Sequence, residues 1–166
     1  MKARATTSVV LALAVAFGTA GCGFVAPQAT TKHYDASDGV SGNLGQIDIR
    51  NALIVTDGTS KVGNLVVTLV NTGSKSHRVA ISAGDQRTPA SSVTVEPGEV
   101  KNVGATPGKA SASNVFLLNF TALPGSLSPV YFQYGDETGV QLAAPVLDGG
   151  LSEYKDLVPP AILPAS

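Results

Sequence analysis

The sequence predicts an all-β protein, a single immunoglobulin-size β-sandwich of about seven strands. Short apolar runs rich in Val, Ile, Leu and Phe recur between clusters of Gly, Pro, Asn and Ser. The turn signals follow one another at a spacing of about 10 residues, which is typical of a sandwich. No stretch of the domain shows the hydrophobic period of a helix.

The first predicted strand covers 47–55. Ile47 and Ile49 alternate with polar neighbours, and the apolar residues that follow continue the strand. Because the alternation is interrupted near Asn51, we expect a β-bulge there. Asp57-Gly58 then marks a turn.

The second predicted strand, 65–70, is apolar on both faces apart from Thr68, which is typical of a central strand. Asn71-Thr72-Gly73 ends this strand, and the β pattern resumes at 79–82. We therefore predict a hairpin between the two strands, with His77 in its exposed turn.

The next two predicted strands are short and flank one turn. Val93 and Val95 come before Glu96-Pro97-Gly98-Glu99, and 100–103 follows it. Proline presets φ and glycine accepts a positive φ, so this segment is predicted to be a tight turn.

The last predicted strands lie between residues 115 and 146. The strongest is 115–120, with Phe116, Leu118 and Phe120 expected on one face. A loop, 123–129, is bounded by prolines, and 130–134 with 140–146 is predicted to form a terminal hairpin.

The chain begins with the pattern of a bacterial secretory signal. Basic Lys2 and Arg4 precede an apolar run, 9–20, that is shorter than the roughly 20 residues of a membrane span. Thr19-Ala20-Gly21-Cys22 resembles a lipoprotein signal box. This resemblance implies that Cys22 becomes the lipid-bearing first residue and that its two acyl chains hold the protein firmly at the outer face of the cell membrane.

Four segments follow from these patterns. We expect a signal peptide at 1–21, a lipidated cysteine and flexible linker at 22–43, and the sandwich at 44–147. The residues 148–166 contain Pro159-Pro160 and Pro164, and are predicted to be an irregular tail.

Composition and the lack of known motifs argue against nucleic-acid binding, the common classes of enzyme and a two-tyrosine sugar platform. After removal of residues 1–21 the chain keeps 9 Lys and Arg against 12 Asp and Glu, so no basic patch for nucleic acid is expected. The motifs of serine hydrolases, zinc peptidases, paired cysteines and phosphate loops are missing from the sequence. Tyr131 and Tyr134 alternate to opposite faces and cannot form a shared sugar platform. We expect no enzyme activity and no cofactor.

The sandwich and tail resemble a family of actinobacterial surface lipoproteins of the LpqE type. The resemblance is carried by Gly45-Gln46-Ile47-Asp48-Ile49-Arg50-Asn51-Ala52, by Asn71-Thr72-Gly73, by the 140–146 strand with its Ala-Pro-Val end, and by Tyr154-Lys155-Asp156-Leu157-Val158-Pro159. It implies a protein partner in a respiratory or cell-envelope assembly.

The layout also resembles the cupredoxin-like copper chaperones called PCuAC, which hold Cu(I) with Met and His. Here the only methionine is Met1, and the only cysteine is Cys22. The mature chain keeps His33 and His77, so no metal ligand is carried over. We expect the protein to be a non-catalytic interaction or accessory module. The alternative is a copper-chaperone-like, metal-binding protein.

Two surfaces are predicted to meet a protein partner. No charged residue or histidine occurs from 110 to 135, and Leu123 and Leu127 are expected to be exposed on a loop within it. Tyr154, Leu157 and Val158 are apolar anchors in the tail, which docks on a partner or on its own domain.

Overall fold

The computed structural model describes residues 8, 15, 35, 37–84, 89, 91–104 and 114–159. From Asp35 onward these residues belong to one compact unit. They form nine strands and one short helix, which confirms the predicted all-β class. The elements are β1 Val40–Leu44, β2 Ile47–Val55, β3 Val62–Asn71, β4 His77–Ala83, β5 Ser91–Val95, β6 Val100–Val103, β7 Val115–Leu118, β8 Leu127–Gln133, β9 Val140–Leu147 and α1 Ser152–Lys155.

The strands form two layers that β9 joins. Hydrogen bonds connect them in the order β5-β4-β8-β9-β2-β3-β6, with β1 on β2 and β7 on β3. β9 pairs antiparallel with β8 over most of its length. Its last residues, Val146 and Leu147, pair parallel with β2 instead. The result is a sandwich that is closed on one side, and the predicted terminal hairpin of β8 and β9 is confirmed.

Alternating side chains build the core between the layers. In β8 every second residue is buried, and Val130 and Phe132 are fully covered. Burying an aliphatic or aromatic side chain of this size contributes roughly 1.5–3 kcal/mol. The largest fully buried side chains are Phe132, Leu44, Ile47, Ile49, Leu53, Ile54, Leu65, Leu69 and Ile81.

The predicted bulge lies where the sequence placed it. The register between β2 and β3 shifts between Arg50 and Leu53. Asn51 has a φ of 52°, and its Oδ1 accepts a hydrogen bond of 2.9 Å from the buried Gly39 amide. The side chain of Asn51 therefore fastens the segment before β1 to the bulge.

The predicted hairpin between β3 and β4 is wrong. β3 pairs with β2, β6 and β7, and β4 pairs with β5 and β8 in the other layer. Both edges of β3 are therefore occupied, and the chain crosses between layers after Asn71. The Asn71 Nδ2 donates to the carbonyls of Lys75 (2.7 Å) and Val95 (3.0 Å), which holds this crossing in place.

The turn between β5 and β6 also connects the two layers. Gly98 has a φ of 69°, and the Glu99 amide donates to the Glu96 carbonyl at 3.0 Å, as the predicted tight turn requires. Glu99 in turn accepts the Glu96 amide through its carboxylate at 2.7 Å. This hydrogen bond is the first cause of the lowered pKa of Glu99.

β7 is shorter and weaker than predicted. It is a four-residue strand that pairs with β3 and ends at Leu118, and the φ of 56° at the following Asn119 breaks the alternation. Phe120 therefore turns into the core beside Leu117, whereas Leu118 is 55% exposed. The expectation that Phe116, Leu118 and Phe120 share one face is wrong for this reason.

Three predicted boundaries shift. The residues 40–43, expected in the linker, belong to β1, because β2 offers them an antiparallel edge. Leu127 opens β8 and is not in a loop, since it pairs with Pro145 of β9. The tail contains α1, which was not predicted.

Apart from residues 8 and 15, the predicted signal peptide lies outside the described residues, and so do Cys22 and His33. Within the part of the chain that the structure describes, no helix is long and apolar enough to span a membrane.

Candidate partner-binding groove

A groove of about 320 Å³ lies where β7 ends and β8 begins, and its lining includes the polar residues Asn119, Thr121 and Ser128. Its walls come from residues 83–84, 117–122 and 127–129. None of these side chains carries a charge. We call this feature the leucine groove, because exposed leucines stand along it.

The leucines are exposed to an unusual degree for residues of their size. Leu118 and Leu127 line the groove and are 55% and 66% exposed. Leu123, which is 63% exposed, follows the lining residue Ala122. Exposure of Leu123 and Leu127 agrees with the prediction, and exposed apolar groups that are close together mark contact surfaces.

Backbone hydrogen bonds hold this surface in shape. The Leu123 carbonyl accepts the amide of Ser126 (3.1 Å) and its hydroxyl (2.6 Å). The Gly125 amide donates to the Val146 carbonyl (2.8 Å), and the Val146 amide donates to the Ser126 carbonyl (2.9 Å). Because the turn is tied to β9, the leucines are presented in a fixed arrangement, which lowers the entropy cost of binding.

The tail packs on its own domain, which is one of the two alternatives that the sequence left open. Tyr154 is half-buried, and its hydroxyl donates to the carboxylate of Asp38. This hydrogen bond, followed by burial, raises the pKa of Tyr154 to about 12. The Leu157 carbonyl accepts the Asn64 Nδ2 at 2.8 Å, and Val158 is half-buried.

Asn64 is a buried residue that sequence reasoning missed. It is 3% exposed, and its Nδ2 donates to the carbonyls of Leu157 and Gly104 (3.1 Å). Its Oδ1 has no hydrogen-bond partner among the described residues. Asn64 lies inside an apolar strand, so hydrophobic pattern alone gives no signal for its role.

His77 is not in an exposed turn, as predicted, but opens β4. Its ring lies 4.3 Å from that of Tyr134 at an angle of 40°, and its Nε2 is 3.3 Å from the Gln46 Oε1. The residue is half-buried by these neighbours. Among the residues that the structure describes, no group of three His, Cys, Asp or Glu side chains is arranged to hold a metal ion.

The sandwich resembles PCuAC domains. The apo PCuAC domain from PmoF2 superposes with a TM-score of 0.52 at 15% sequence identity, covering 68% of this chain and 98% of that one. The copper-bound PCuAC domain from PmoF2 gives a TM-score of 0.50 at 15% identity, covering 66% and 98%. No protein-family model and no curated protein matches the chain. The likeness to PCuAC domains is one of fold alone.

The acidic turn residues have local structural roles. Asp57 follows β2, and its Oδ1 accepts the amides of Thr59 (2.8 Å) and Ser60 (2.7 Å) and the Ser60 hydroxyl (2.8 Å). These hydrogen bonds lower the pKa of Asp57 to about 2. The carboxylate of Asp57 therefore closes a turn, in agreement with its position in the predicted Asp-Gly turn.

Proposed function

We propose that this protein is a lipoprotein, anchored through Cys22 at the outer face of the cell membrane, that acts as a non-catalytic interaction or accessory module. Its partner is a protein of a membrane or cell-envelope complex, as the resemblance to LpqE-type lipoproteins suggests. The leucine groove is the observation that carries the proposal. The proposal assigns no catalytic residue and no cofactor to the protein.

The chemistry of the groove defines its occupant. The lining side chains are uncharged, so a charged segment gains no ion pair there and loses its hydration. An uncharged apolar segment of the partner loses nothing comparable. Each leucine that such a segment covers contributes roughly 1.5–3 kcal/mol at most, since part of each side chain is already covered. Leu118 and Leu127 in the lining, with the exposed Leu123 next to the lining residue Ala122, are the apolar side chains that such a segment would cover.

The anchor supports this assignment. Two acyl chains on Cys22 hold a protein at a bilayer, whereas one chain binds only marginally. A protein held at the membrane meets other membrane proteins at a high effective concentration, so a groove of modest size is sufficient. A respiratory or cell-envelope complex is the kind of partner that this location favours.

The test is crosslinking in the native membrane with the variant Leu123→Asp/Leu127→Asp. Both side chains are exposed, so the charges leave the core intact and repel an apolar partner. We expect the crosslinked partner to be lost. Val100→Asp is the matched control, because Val100 is 60% exposed on β6 and outside the groove. Equal recovery of the partner with both variants would remove the groove from consideration.

Copper binding is the second candidate, because the fold is like that of the copper-bound PCuAC domain from PmoF2. The candidate ligands are His33 and His77. The test is titration of the full chain with Cu(I) under reducing conditions, repeated with His33→Ala and with His77→Ala. Stoichiometric binding that weakens in either variant would place metal handling ahead of the interaction module.

A further inference from the structure

We propose that a recess beside Tyr131, on the outer face of the β4, β8 and β9 layer, binds a neutral saccharide with the Tyr131 ring as its stacking surface. The inference goes beyond the proposed function, because it concerns a different site and a different class of ligand. It also revises the sequence argument, which excluded only a platform shared by Tyr131 and Tyr134.

The site is a recess of about 320 Å³. Tyr131 is 41% exposed, whereas Tyr134 faces inward and is 6% exposed. Residues that carry hydroxyl, amide and carboxylate groups line the recess with Tyr131. They are Ser82, Thr138, Gln133 and Glu137, and Ala80, Pro89 and Gly139 complete the described lining.

The ring and its neighbours are held before any ligand arrives. A Cβ atom at Gly139 would collide with the hydroxyl end of the Tyr131 ring, so the ring lies in the space that glycine leaves. The Gln133 Nε2 donates to the Gly135 carbonyl, which fixes the amide plane. A fixed aromatic ring and a fixed amide lower the entropy lost on binding.

The composition of the recess selects a sugar over other ligands. The C–H face of a pyranose packs on an aromatic plane, and its rim of hydroxyl groups needs both donors and acceptors. The lining supplies both. Among the lining residues that the structure describes there is no Lys or Arg, and Glu137 carries a carboxylate, which disfavours phosphates and acidic sugars. Of the described lining residues only Tyr131 and Pro89 carry an apolar ring, so an apolar peptide finds little to pack against.

The test uses the full-length lipoprotein in detergent micelles with three probes: maltohexaose, cellohexaose and a linear galactohexaose. Saturation-transfer NMR detects contact, and calorimetric titration gives the Kd. We expect at least one probe to bind. Tyr131→Ala should weaken it at least about tenfold, whereas Tyr131→Phe, which keeps the ring, should change the Kd less than about threefold.

Two further variants make the outcome decisive. Thr138→Val removes one hydroxyl from an exposed position with little change in volume, and we expect the Kd to rise severalfold. Leu127→Asp, in the leucine groove, should leave the Kd unchanged, so that failure of this proposal and failure of the proposed function are distinguishable. Absence of saturation transfer from all three probes, or an unchanged Kd in Tyr131→Ala, would overturn the saccharide site.

Discussion

Three asparagines bind backbone groups of other segments through their side chains. Asn51 accepts the Gly39 amide at the bulge in β2, and Asn71 bridges the crossing from β3 to β4. Asn64 binds a carbonyl of the tail. Buried backbone groups without partners are costly, and these amides supply hydrogen-bond partners. The position of the bulge was predictable from broken alternation, but the long-range partners of the side chains were not.

Asn51→Ala tests this role at the bulge. The variant leaves the buried Gly39 amide without its acceptor and places alanine at a φ of 52°. A lost partner of a buried donor costs about 1–3 kcal/mol, and the left-handed conformation adds about 1 kcal/mol. We expect the free energy of unfolding, measured by urea denaturation, to fall by about 2–4 kcal/mol.

Asn119→Ala is the matched control for that variant. Asn119 has a similar φ of 56°, but its side chain is exposed at the end of β7. It therefore reports the conformational cost alone, and we expect about 1 kcal/mol. Equal losses in the two variants would show that the hydrogen bond to Gly39 contributes nothing.

Tyr154 makes stability depend on pH in the alkaline range. Its hydrogen bond to Asp38 raises its pKa from 10.0 to about 12 in the folded protein. Between these values the unfolded chain loses the proton and the folded protein keeps it. The contribution of Tyr154 is therefore complete below pH 10 and is lost as the pH rises through about 12. Tyr154→Phe should flatten the fall in the free energy of unfolding over this range.

A Tyr154→Phe profile that stays parallel to that of the wild type over this pH range would contradict the role of the Tyr154–Asp38 hydrogen bond.

Among the elements, those defined by local pattern were predicted, and the pairing of strands that are distant in sequence was not. The period of β2 and the terminal hairpin of β8 and β9 are readable from alternation and turn residues. The layer to which β4 belongs depends on contacts with β8, about 50 residues away in sequence, which no local pattern records. Of the candidate site, exposure of Leu123 and Leu127 was predictable from a charge-free loop. Leu118 was missed, because it was expected to share a face with Phe120, and the positive φ at Asn119 turns Phe120 into the core while Leu118 stays exposed.

Asn64→Ala tests how the tail is attached to β3. The variant removes the donor to the Leu157 and Gly104 carbonyls, and we expect a loss of about 2 kcal/mol in the free energy of unfolding. The tail should also open more often, because the Asn64 bond joins it directly to β3. Hydrogen exchange of 148–159 and tryptic cleavage after Lys155 should both become faster than in the wild type.

The control for tail release is Asn71→Ala. Asn71 also donates to two backbone carbonyls, those of Lys75 and Val95, but it makes no contact of this kind with the tail. We expect Asn71→Ala to lower the free energy of unfolding by a similar amount and to leave the hydrogen exchange of 148–159 unchanged. Both variants are measured under conditions far from global unfolding. Release of the tail in Asn71→Ala to the same extent would show that Asn64 acts only through overall stability.

At the scale of the whole molecule, the fold and the surface give different information. The sandwich is like PCuAC domains, yet the described residues hold no grouped metal ligands, and the described His77 packs on Tyr134. The surface instead has an uncharged leucine groove and a polar recess around one aromatic ring. One sandwich can carry unrelated sites, so the function of this protein has to be argued from those surfaces.

The proposed lipid anchor concerns the whole molecule, and Cys22→Ala tests it. Each buried methylene of an acyl chain contributes about 0.8 kcal/mol, so the loss of two chains removes nearly all affinity for the bilayer. After cell fractionation we expect the Cys22→Ala protein in the soluble or secreted fraction and the wild type in the membrane. Thr19→Leu, a change in the same signal box that keeps the cysteine, should remain in the membrane. A Cys22→Ala protein that still sediments with membranes would contradict lipid anchoring. Its attachment would then be assigned to the partner bound at the leucine groove. Adding Leu123→Asp/Leu127→Asp to Cys22→Ala should in that case release the protein from the membrane.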